Sequence, residues 1–443
     1  MAKTGYFNKT DRKILLLDQA APAPLSKYVK RGPQGQIAIT DMGKELPEHR
    51  VFSINPSSKD LLDELGVWSM LHPSRVTPIK YMQVWEAGGT GYLRWGDNTP
   101  DPLGYIVENG HLQSAVHEKL EEQGIVIKKI PAKIKELTIE QGNFAKLSLE
   151  DNTALTARLV VGCEGANSFV KKTLKIPSWG WSVNQIGIVC SVETNQKSET
   201  AWQRFLETGP IALLPCWEKY SSIVWSCDRD FHKFLLELDE EKFVNELNFH
   251  LTKKSKYDTI NLATGNAASF DLPPVVVRAA NKRVGFPLNM AQAERYIGNR
   301  AALVGDAAHS VHPLAGQGLN LGLMDAETLT HVIDKNLKAG HDIGDEDILQ
   351  EYENKAKLYN YLMMGGMEFI KRSYENDFFL FAQARNLAIS AINNLGITNY
   401  FNDVASGKFF REMLLKDNSS GDQLLKGMKK LEEVAKSFQF PKF

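Results

Sequence analysis

Two hydrophobic patterns follow one another between residues 300 and 333. Residues 301–304 form a short apolar run ended by Gly305-Asp306, which predicts a buried strand. Residues 319–333 instead carry apolar side chains at helical spacing: Leu319, Leu323, Ala326, Leu329 and Ile333. Because Gly316-Gln317-Gly318 precedes them, we predict that a helix of several turns begins near Gly316. A strand, a loop and a helix in this order are typical of an α/β domain.

The predicted loop and helix start have the chemistry of a ligand site. Gly316 and Gly318 leave backbone N–H groups that a ligand can approach closely, and the dipole of the helix favours negative charge there. Asp306 stands at the carboxyl end of its strand, where ligands of α/β sheets bind, and supplies an acceptor for ligand hydroxyls. The alternative is a strand, loop and helix whose glycines only permit close packing.

The whole stretch 300–329 resembles the second flavin-binding motif of the single-component aromatic hydroxylases, and most closely that of the ubiquinone-biosynthesis monooxygenases. The resemblance implies that FAD is the cofactor and that its ribityl chain is bound at Gly305-Asp306 by the Asp306 carboxylate. It also implies that one segment lies against the pyrimidine edge of the flavin ring, formed by Pro313, Gly316, Gln317, Gly318, Leu319 and Asn320.

A short apolar run at residues 13–18 predicts a second strand, closed by Asp18. The resemblance implies that this acid ends the second strand of a dinucleotide-binding unit and binds the adenosine ribose; a solvated strand-end acid is the alternative. Such a unit begins with a strand and a G-x-G-x-x-G turn, whereas residues 1–11 contain a single glycine, Gly5. We therefore expect the chain to begin inside the fold, or the pyrophosphate to be held in another way. We also expect residues 1–443 alone to bind FAD poorly or not at all.

Three further positions match the family in part. Arg50, in His49-Arg50-Val51, falls in the Arg-Val segment of the family, which implies a charge-assisted bond to a cofactor phosphate. A surface ion pair is its alternative. Asn109 stands where relatives place Arg or Gln on the flavin phosphates or ribityl chain, and its alternative role is a plain helix N-cap. Glu164-Gly165 replaces the Asp-Gly of the third family motif, so the direct use of NAD(P)H stays open.

The remaining patterns divide the chain into three regions and predict an α/β fold. Short strands rich in β-branched and aromatic residues occupy much of residues 177–288, whereas the chain after Gly340 is mainly helical. The predicted regions are a doubly wound FAD-binding domain of the aromatic-hydroxylase type (1–75, 103–172 and 289–340), an antiparallel-sheet substrate domain (76–102 and 173–288) and a helical C-terminal region (341–443). Trp217 and Trp225 are predicted to line the substrate pocket or, as we favour, to fill the core of the sheet.

Composition narrows the classes of function. The net charge of -1 gives no case for a nucleic-acid partner, whose recognition needs a concentrated basic face. The four cysteines are widely spaced, without a C-x-x-C pair, and are typical of reduced thiols in an intracellular enzyme without a metal site. No window approaches the ~18 apolar residues of a membrane span. Residues 424–438 predict an amphipathic helix that lies at a membrane surface or packs on the protein.

The resemblance implies a function that the individual motifs do not define. It implies a monooxygenase that hydroxylates the aromatic ring of a polyprenylated benzoate or phenol in ubiquinone biosynthesis, with FAD, molecular oxygen and electrons from a ferredoxin system or NAD(P)H. It further implies a peripheral protein of the mitochondrial inner membrane, on the matrix side and within a biosynthetic protein complex. Two alternatives stay open: a non-catalytic flavin-fold member of such a complex, and a flavin reductase or oxidase acting on an isoprenoid. No side chain is identified as an acid or base, and we favour structural roles for His309 and His312.

Overall fold

The computed structural model describes residues 13–31, 37–38, 45–87, 92–96, 100–124, 126–139, 144–253, 271–312, 316–375 and 406–415. Of the predicted site residues, Pro313 lies outside the described residues. The glycine-poor N-terminus (1–12) and the predicted amphipathic tail (424–438) also lie outside them.

Two parallel strand pairs carry the acids predicted to bind the cofactor. They are β1 (Ile14–Leu17) with β9 (Val126–Lys129), and β13 (Val160–Gly162) with β21 (Ala301–Leu303), which also has the antiparallel partner β20 (Ile297–Gly298). All of β21 is buried, as expected for a strand covered on both faces, so the strand predicted at 301–304 is confirmed. Within the described residues, no hydrogen-bonded ladder joins the two pairs.

Three small antiparallel sheets accompany these pairs. They are β4 (Val51–Ile54), β8 (Gly104–Glu108) and β5 (Thr77–Ile79); β10 (Ile134–Thr138), β11 (Ala145–Leu149) and β12 (Ala154–Ala157); and β2 (Lys30–Arg31) with β3 (Ile37–Ala38). In the first of them β8 is central, so the residues before β4 and after β8 come side by side.

A large sheet forms the second layer. Its strands, in spatial order, are β22 (His309–Ser310), β19 (Val284–Ala293), β14 (Ser178–Thr194), β17 (Tyr220–Asp228), β16 (Gly209–Pro215), β15 (Thr200–Leu206), β6 (Tyr81–Glu86) and β7 (Tyr92–Trp95), with β18 (Val276–Ala279) also on β14. The predicted antiparallel pairing is confirmed except between β15 and β6, which are parallel. Since β6 enters from the other layer and not through a hairpin, no tight turn dictates its direction.

The large sheet has two different faces. The outer face, which bears Ile188, Leu213 and Trp225, is buried under α4 (Arg229–Glu237) and α5 (Glu240–Thr252). Trp225 has no exposed surface, and its ring packs edge-to-face on Phe231 at 5.5 Å. The interpretation of Trp225 as sheet core is therefore confirmed.

The other helices surround the two parallel pairs. They are α1 (Pro56–Glu64), α2 (Asn109–Gln123), α3 (Phe169–Thr173), α6 (Gly318–Lys338), α7 (Glu346–Glu375) and α8 (Lys408–Leu415). The helix predicted from Gly316 begins two residues later because Gly316 has a φ of +59°, in the left-handed region that a helix excludes. α6 packs on α7, and the two helices cover β20 and β21.

An ion cluster fixes the loop between α6 and α7 to the start of β21. Asp342 bonds Arg300 at 2.5 Å and Arg158 at 2.9 Å through its two carboxylate oxygens. Arg300, itself at a φ of +59°, accepts the Val160 N–H through its carbonyl oxygen at 2.9 Å and donates its own N–H to the carbonyl oxygen of Gly344 at 3.0 Å. The Asp342 carboxylate and the Arg300 backbone together hold the starts of β13 and β21 against the loop between α6 and α7.

We expect Asp342→Asn to lower the free energy of unfolding by about 1–3 kcal/mol at pH 7, because it removes charge-assisted bonds to Arg300 and Arg158. The Arg300 hydrogen bond holds the pKa of Asp342 well below its ordinary value. A depressed carboxyl pKa stabilises the folded state above the ordinary pKa, and this stabilisation is lost as the pH falls. The difference between the two proteins should thus narrow below about pH 4.

Urea unfolding at pH 7 and at pH 3 tests this expectation. Glu121→Gln is the matched control because Glu121 pairs with Lys128 at the surface, where such pairs contribute about 0–1 kcal/mol. A difference between wild type and Asp342→Asn that grows as the pH falls would contradict the assignment.

Candidate flavin site

The turn after β21 presents an exposed acid. Gly305 has a φ of +62° and lies against α6, where a Cβ added to Gly322 would sit 3.3 Å from the Gly305 Cα. The left-handed φ favours glycine at 305, and the close approach leaves little room for a side chain at 322. Asp306 follows on the exposed side of the turn, and no described residue donates a hydrogen bond to its carboxylate. The sequence prediction of a free acceptor at this strand end agrees with this arrangement.

The start of α6 packs closely against the end of β4. A Cβ on Gly316 would lie 3.0 Å from the Ser53 Cβ, so the two backbones are in close contact. The Asn320 amide accepts the Asn55 N–H at 3.0 Å and donates to the carbonyl oxygen of Ser53 at 2.8 Å. Asn320 therefore acts on the position of the helix start, with its side chain turned towards the protein.

The other residues of this predicted segment are placed in different ways. Gln317 is buried and accepts from the Asn320 amide at 3.3 Å, and Leu319 packs against the core beneath α1 and α2. Among the described residues, the nearest neighbour of a Cβ on Gly318, the first residue of α6, is Val311 at 3.8 Å. The segment thus offers its backbone, and few of its side chains, to a ligand.

Arg50 and Asn109 lie side by side at one sheet edge. β4 and β8 pair Val51 with Glu108, and the Asn109 N–H donates to the carbonyl oxygen of Arg50 at 3.0 Å. Arg50 is exposed, its guanidinium lies 5.0 Å from the Phe52 ring centre, and none of the described carboxylates pairs with it. The ion-pair alternative for Arg50 therefore finds no support among the described residues. Asn109 is the first residue of α2, so the N-cap alternative for it is wrong: the N-cap is Glu108.

An acid that the sequence analysis missed occupies the start of α2. Glu48 accepts the Gly110 N–H at 2.7 Å and the Tyr28 hydroxyl at 2.5 Å. Its own N–H donates to Glu108, which is buried and bonds Arg75 at 2.5 Å. Burial, followed by the Glu48 hydrogen bond, raises the pKa of Tyr28. Glu48 thus occupies the start of α2, and Arg50 beside it is an exposed cation that could bind a phosphate.

Asp18 follows β1 of one parallel pair, and Glu164 follows β13 of the other. Asp18 is exposed, and its carboxylate accepts the Ala20 N–H at 3.3 Å. Glu164 accepts the Val170 N–H at 2.9 Å and so stabilises the start of α3, while Gly165 takes a φ of +86° in the turn. Glu164, which stands in place of the Asp of the third family motif, thus has a structural role in this chain.

Lys171 is a further charged residue that the sequence analysis did not select. Burial lowers its pKa, while the carboxylates of Glu164 and Asp306 act in the opposite direction and Lys172 adds to the lowering. Lys171 thus lies close enough to interact electrostatically with Glu164, which follows β13, and with Asp306, which follows β21. Its signal in the sequence, a Lys-Lys pair after a glycine turn, is too common to point to a site.

Trp217 is the other aromatic residue considered for the substrate pocket. It is buried, with the Arg75 guanidinium 5.7 Å from its ring centre and Tyr220 packed edge-to-face at 5.1 Å. Core packing accounts for its position. Across the described parts of the chain, none of the helices combines the length and apolar character that crossing a bilayer requires. In the same ranges, no three His, Cys, Asp or Glu side chains come together as a possible metal site.

These residues fit the polar parts of a flavin dinucleotide. Asp306 offers an acceptor for ribityl hydroxyls, Arg50 a cation for a phosphate, and Gly318 at the start of α6 a backbone position that a planar ring can approach. Which cofactor the chain binds is shown by the family to which it belongs. The chain belongs to the FAD binding domain family, whose model matches residues 34–364.

The relatives define the type of flavoprotein. The chain is 31% identical over 413 residues to the ubiquinone biosynthesis monooxygenase COQ6, mitochondrial, of Caenorhabditis elegans, covering 88% of each protein. It is 33% identical to the Danio rerio protein of that name, covering 87% of this chain and 82% of the relative, and 31% identical to the Homo sapiens protein, covering 86% and 84%. The chain is an FAD-dependent monooxygenase.

Solved structures show the same fold. A probable FAD-dependent monooxygenase from Pseudomonas aeruginosa, pqsL, aligns with a TM-score of 0.65 at 18% identity, over 88% of this chain and 95% of that one. The p-nitrophenol 4-monooxygenase PnpA from Pseudomonas putida DLL-E4 aligns with a TM-score of 0.66 at 14% identity, over 92% and 95%. The predicted fold class, an aromatic-hydroxylase type of α/β fold with a second sheet and a helical C-terminal part, is confirmed.

Proposed function

We propose that this protein hydroxylates the aromatic ring of a polyprenylated benzoate or phenol in ubiquinone biosynthesis. The observation that carries the proposal is the similarity to the COQ6 monooxygenases, which extends over 88% of the chain. A likeness of this length includes both the flavin site and the large sheet, so it supports a shared type of substrate as well as a shared cofactor.

The inner face of the large sheet supports an aromatic substrate. This face bears Val189, Val224 and Ala212, which lie opposite one another in three neighbouring strands, β14, β17 and β16. The three side chains are half-buried although their strands are central in the sheet. They carry no charge and no hydrogen-bonding group, so the row they form suits the flat apolar surface of a ring.

The inner face is also the face that meets the cofactor layer. The Ser191 hydroxyl, on this face of β14, donates to the carbonyl oxygen of Glu48 at 3.0 Å, two residues before Arg50. Ala201 and Leu214 of the same face pack with Ile79 and Ile106 of the cofactor layer. The apolar row therefore lies beside the elements that carry the predicted flavin contacts.

The protein residues have binding and positioning roles in the proposed reaction. When bound and reduced, FAD supplies the activation of molecular oxygen for transfer of one oxygen atom to the ring. Asp306 holds the ribityl hydroxyls and Arg50 a phosphate, while the positive end of the α6 dipole stabilises negative charge at the flavin ring. The apolar row orients the ring and keeps water from it. We assign the role of general acid or base to none of the described side chains.

The proposal extends to partners and location. The relatives are named mitochondrial, and a polyprenylated substrate resides in a membrane. We therefore place the protein at the matrix face of the mitochondrial inner membrane, bound peripherally and within a biosynthetic protein complex, with electrons supplied by a ferredoxin system or NAD(P)H. Recovery of the endogenous protein only from the cytosolic fraction would contradict this placement.

Reconstitution tests the function. The protein is incubated with FAD, a prenylated 4-hydroxybenzoate in detergent, isotopically labelled oxygen and either ferredoxin with its reductase or NAD(P)H. The expected product is the ring-hydroxylated substrate carrying one labelled oxygen atom. Flavin reduction without labelled product would favour the reductase or oxidase alternative. Absence of both, in protein that assembles with its biosynthetic partners, would favour the non-catalytic alternative.

A further inference from the structure

A buried acid lies directly beneath the turn that carries Asp306. Asp325 sits in the third turn of α6 and is 1% exposed. One of its carboxylate oxygens, Oδ2, accepts both the Gly305 N–H at 3.0 Å and the His309 Nε2–H at 2.6 Å. These two donors flank Asp306 in the chain, one residue before it and three residues after it. A single carboxylate oxygen thus binds a residue on each side of Asp306 and fixes the segment that presents it.

The second carboxylate oxygen connects the turn to α7. Asp325 Oδ1 accepts the Asn360 amide at 3.3 Å, and the same amide donates to the Tyr296 hydroxyl at 3.1 Å. Asn360 and Tyr296 have no exposed surface. The acid is therefore held by a buried polar network whose other members belong to α7 and to the segment between β19 and β20, and it cannot move without breaking several buried bonds.

This arrangement exceeds what packing of the turn requires. Burying a carboxylate is costly unless hydrogen bonds satisfy it, and an apolar residue in its place would avoid that cost. The bonds are directed at the two donors that bracket Asp306, while the Asp306 carboxylate itself is left exposed. The network is thus arranged to fix a backbone segment whose one outward acid has no partner among the described residues.

We infer that Asp325 is a positioning residue for the cofactor: it fixes the Gly305–His309 segment so that Asp306 is preorganised to bind the ribityl chain of FAD. A ligand group that is already held in its binding position loses less conformational freedom on binding, so the affinity is higher. Without Asp325, the Gly305 N–H and the imidazole lose their acceptor and the segment relaxes. The inference concerns the cofactor alone and is independent of the substrate.

A double-mutant cycle on FAD affinity tests the inference. The variants are Asp325→Ala, Asp325→Asn, Asp306→Ala and the double variant Asp306→Ala with Asp325→Ala, each made in a form of the protein that binds FAD and titrated with FAD by flavin fluorescence. We expect Asp325→Ala to raise the FAD dissociation constant at least tenfold. Asp325→Asn should raise it less, because an amide oxygen still accepts from Gly305 and His309. In the Asp306→Ala background, the Asp325→Ala change should alter the constant by less than about twofold, since the two act through one contact.

Asn336→Ala is the matched control. Asn336 lies near the C-terminal end of the same helix and makes its own buried polar bonds, to the carbonyl oxygen of Val332 and to His341, both at 2.9 Å. Its loss should lower the melting temperature without changing FAD affinity, which separates general destabilisation of α6 from positioning. Equal effects of Asp325→Ala in the presence and absence of Asp306 would overturn the inference.

Hydrogen exchange of the protein without added flavin gives a second, independent measurement. In Asp325→Ala, the Gly305 amide, followed within a peptide covering residues 301–312, should exchange at least tenfold faster because it has lost its acceptor. A peptide covering residues 144–157, in the separate small sheet of β11 and β12, should keep its rate. Unchanged protection of the 301–312 peptide would also overturn the inference.

Discussion

Replacing Asp306 with alanine is expected to weaken FAD binding by roughly 10- to 100-fold. The Asp306 carboxylate is exposed at the carboxyl end of a buried strand, where a ligand hydroxyl can reach it. A hydrogen bond from a hydroxyl to a charged acceptor contributes about 1.5–3 kcal/mol, which corresponds to about 10- to 100-fold in a dissociation constant. The measurement is an FAD titration followed by flavin fluorescence, together with the flavin content of the purified protein.

The stability of the protein should change little in this variant. Because no described residue donates to the Asp306 carboxylate, its removal breaks no bond that we observe in the fold. Asp230→Ala, a change of another exposed acid on α4 in the distant outer layer, serves as the control and should leave the FAD dissociation constant unaltered. Equal FAD affinity of Asp306→Ala and wild type would remove Asp306 from the site.

The sequence predicts the strand, turn and helix around Asp306 well because their determinants are local. A continuous apolar run, a glycine turn and apolar residues at helical spacing all lie within about one βα unit, and each pattern follows from the geometry of one element. The start of α6 differs by two residues for a local reason as well: Gly316 adopts a left-handed conformation that spacing alone does not reveal. Likewise, the acid at the end of β1 is exposed as its pattern indicates.

The contacts that complete the site could not be predicted because their partners are far apart in the chain. Glu48 meets Gly110 across 62 residues, and Asn320 meets Asn55 across 265. Neither pair leaves a mark in the local sequence, since a polar residue before a strand or within a helix is usually solvated. The same limit applies to Asp325. The helical pattern places it next to the predicted apolar stripe of α6, and only its contact with Asn360 shows that it belongs to a buried polar network.

The orientation of the large sheet also lies beyond the sequence. Alternation along β16 and β17 predicts two faces but not which of them meets the helices and which meets the cofactor layer. Pairing supplies the answer, because Trp225 shares the outer face with Ile211 and Ile188, so that Ala212 and Val224 share the inner one. Trp225 therefore belongs to the core, whereas Ala212 and Val224 belong to the surface proposed for the substrate.

Filling that surface is expected to abolish turnover while sparing the cofactor. Ala212→Trp places a large ring over the row formed with Val224 and Val189, where the proposed substrate ring lies. Displacing a reacting ring by about 1 Å costs on the order of 100-fold in rate, so we expect kcat/KM for the prenylated substrate to fall at least that far. The FAD dissociation constant should stay within about twofold, because the change is made on the sheet and not on the residues that contact the cofactor.

Ala154→Trp adds the same bulk at an exposed position of β12 and should leave both quantities unchanged. Wild-type turnover by Ala212→Trp would show that the substrate binds elsewhere, whereas loss of FAD binding would show that the inner face supports the cofactor directly.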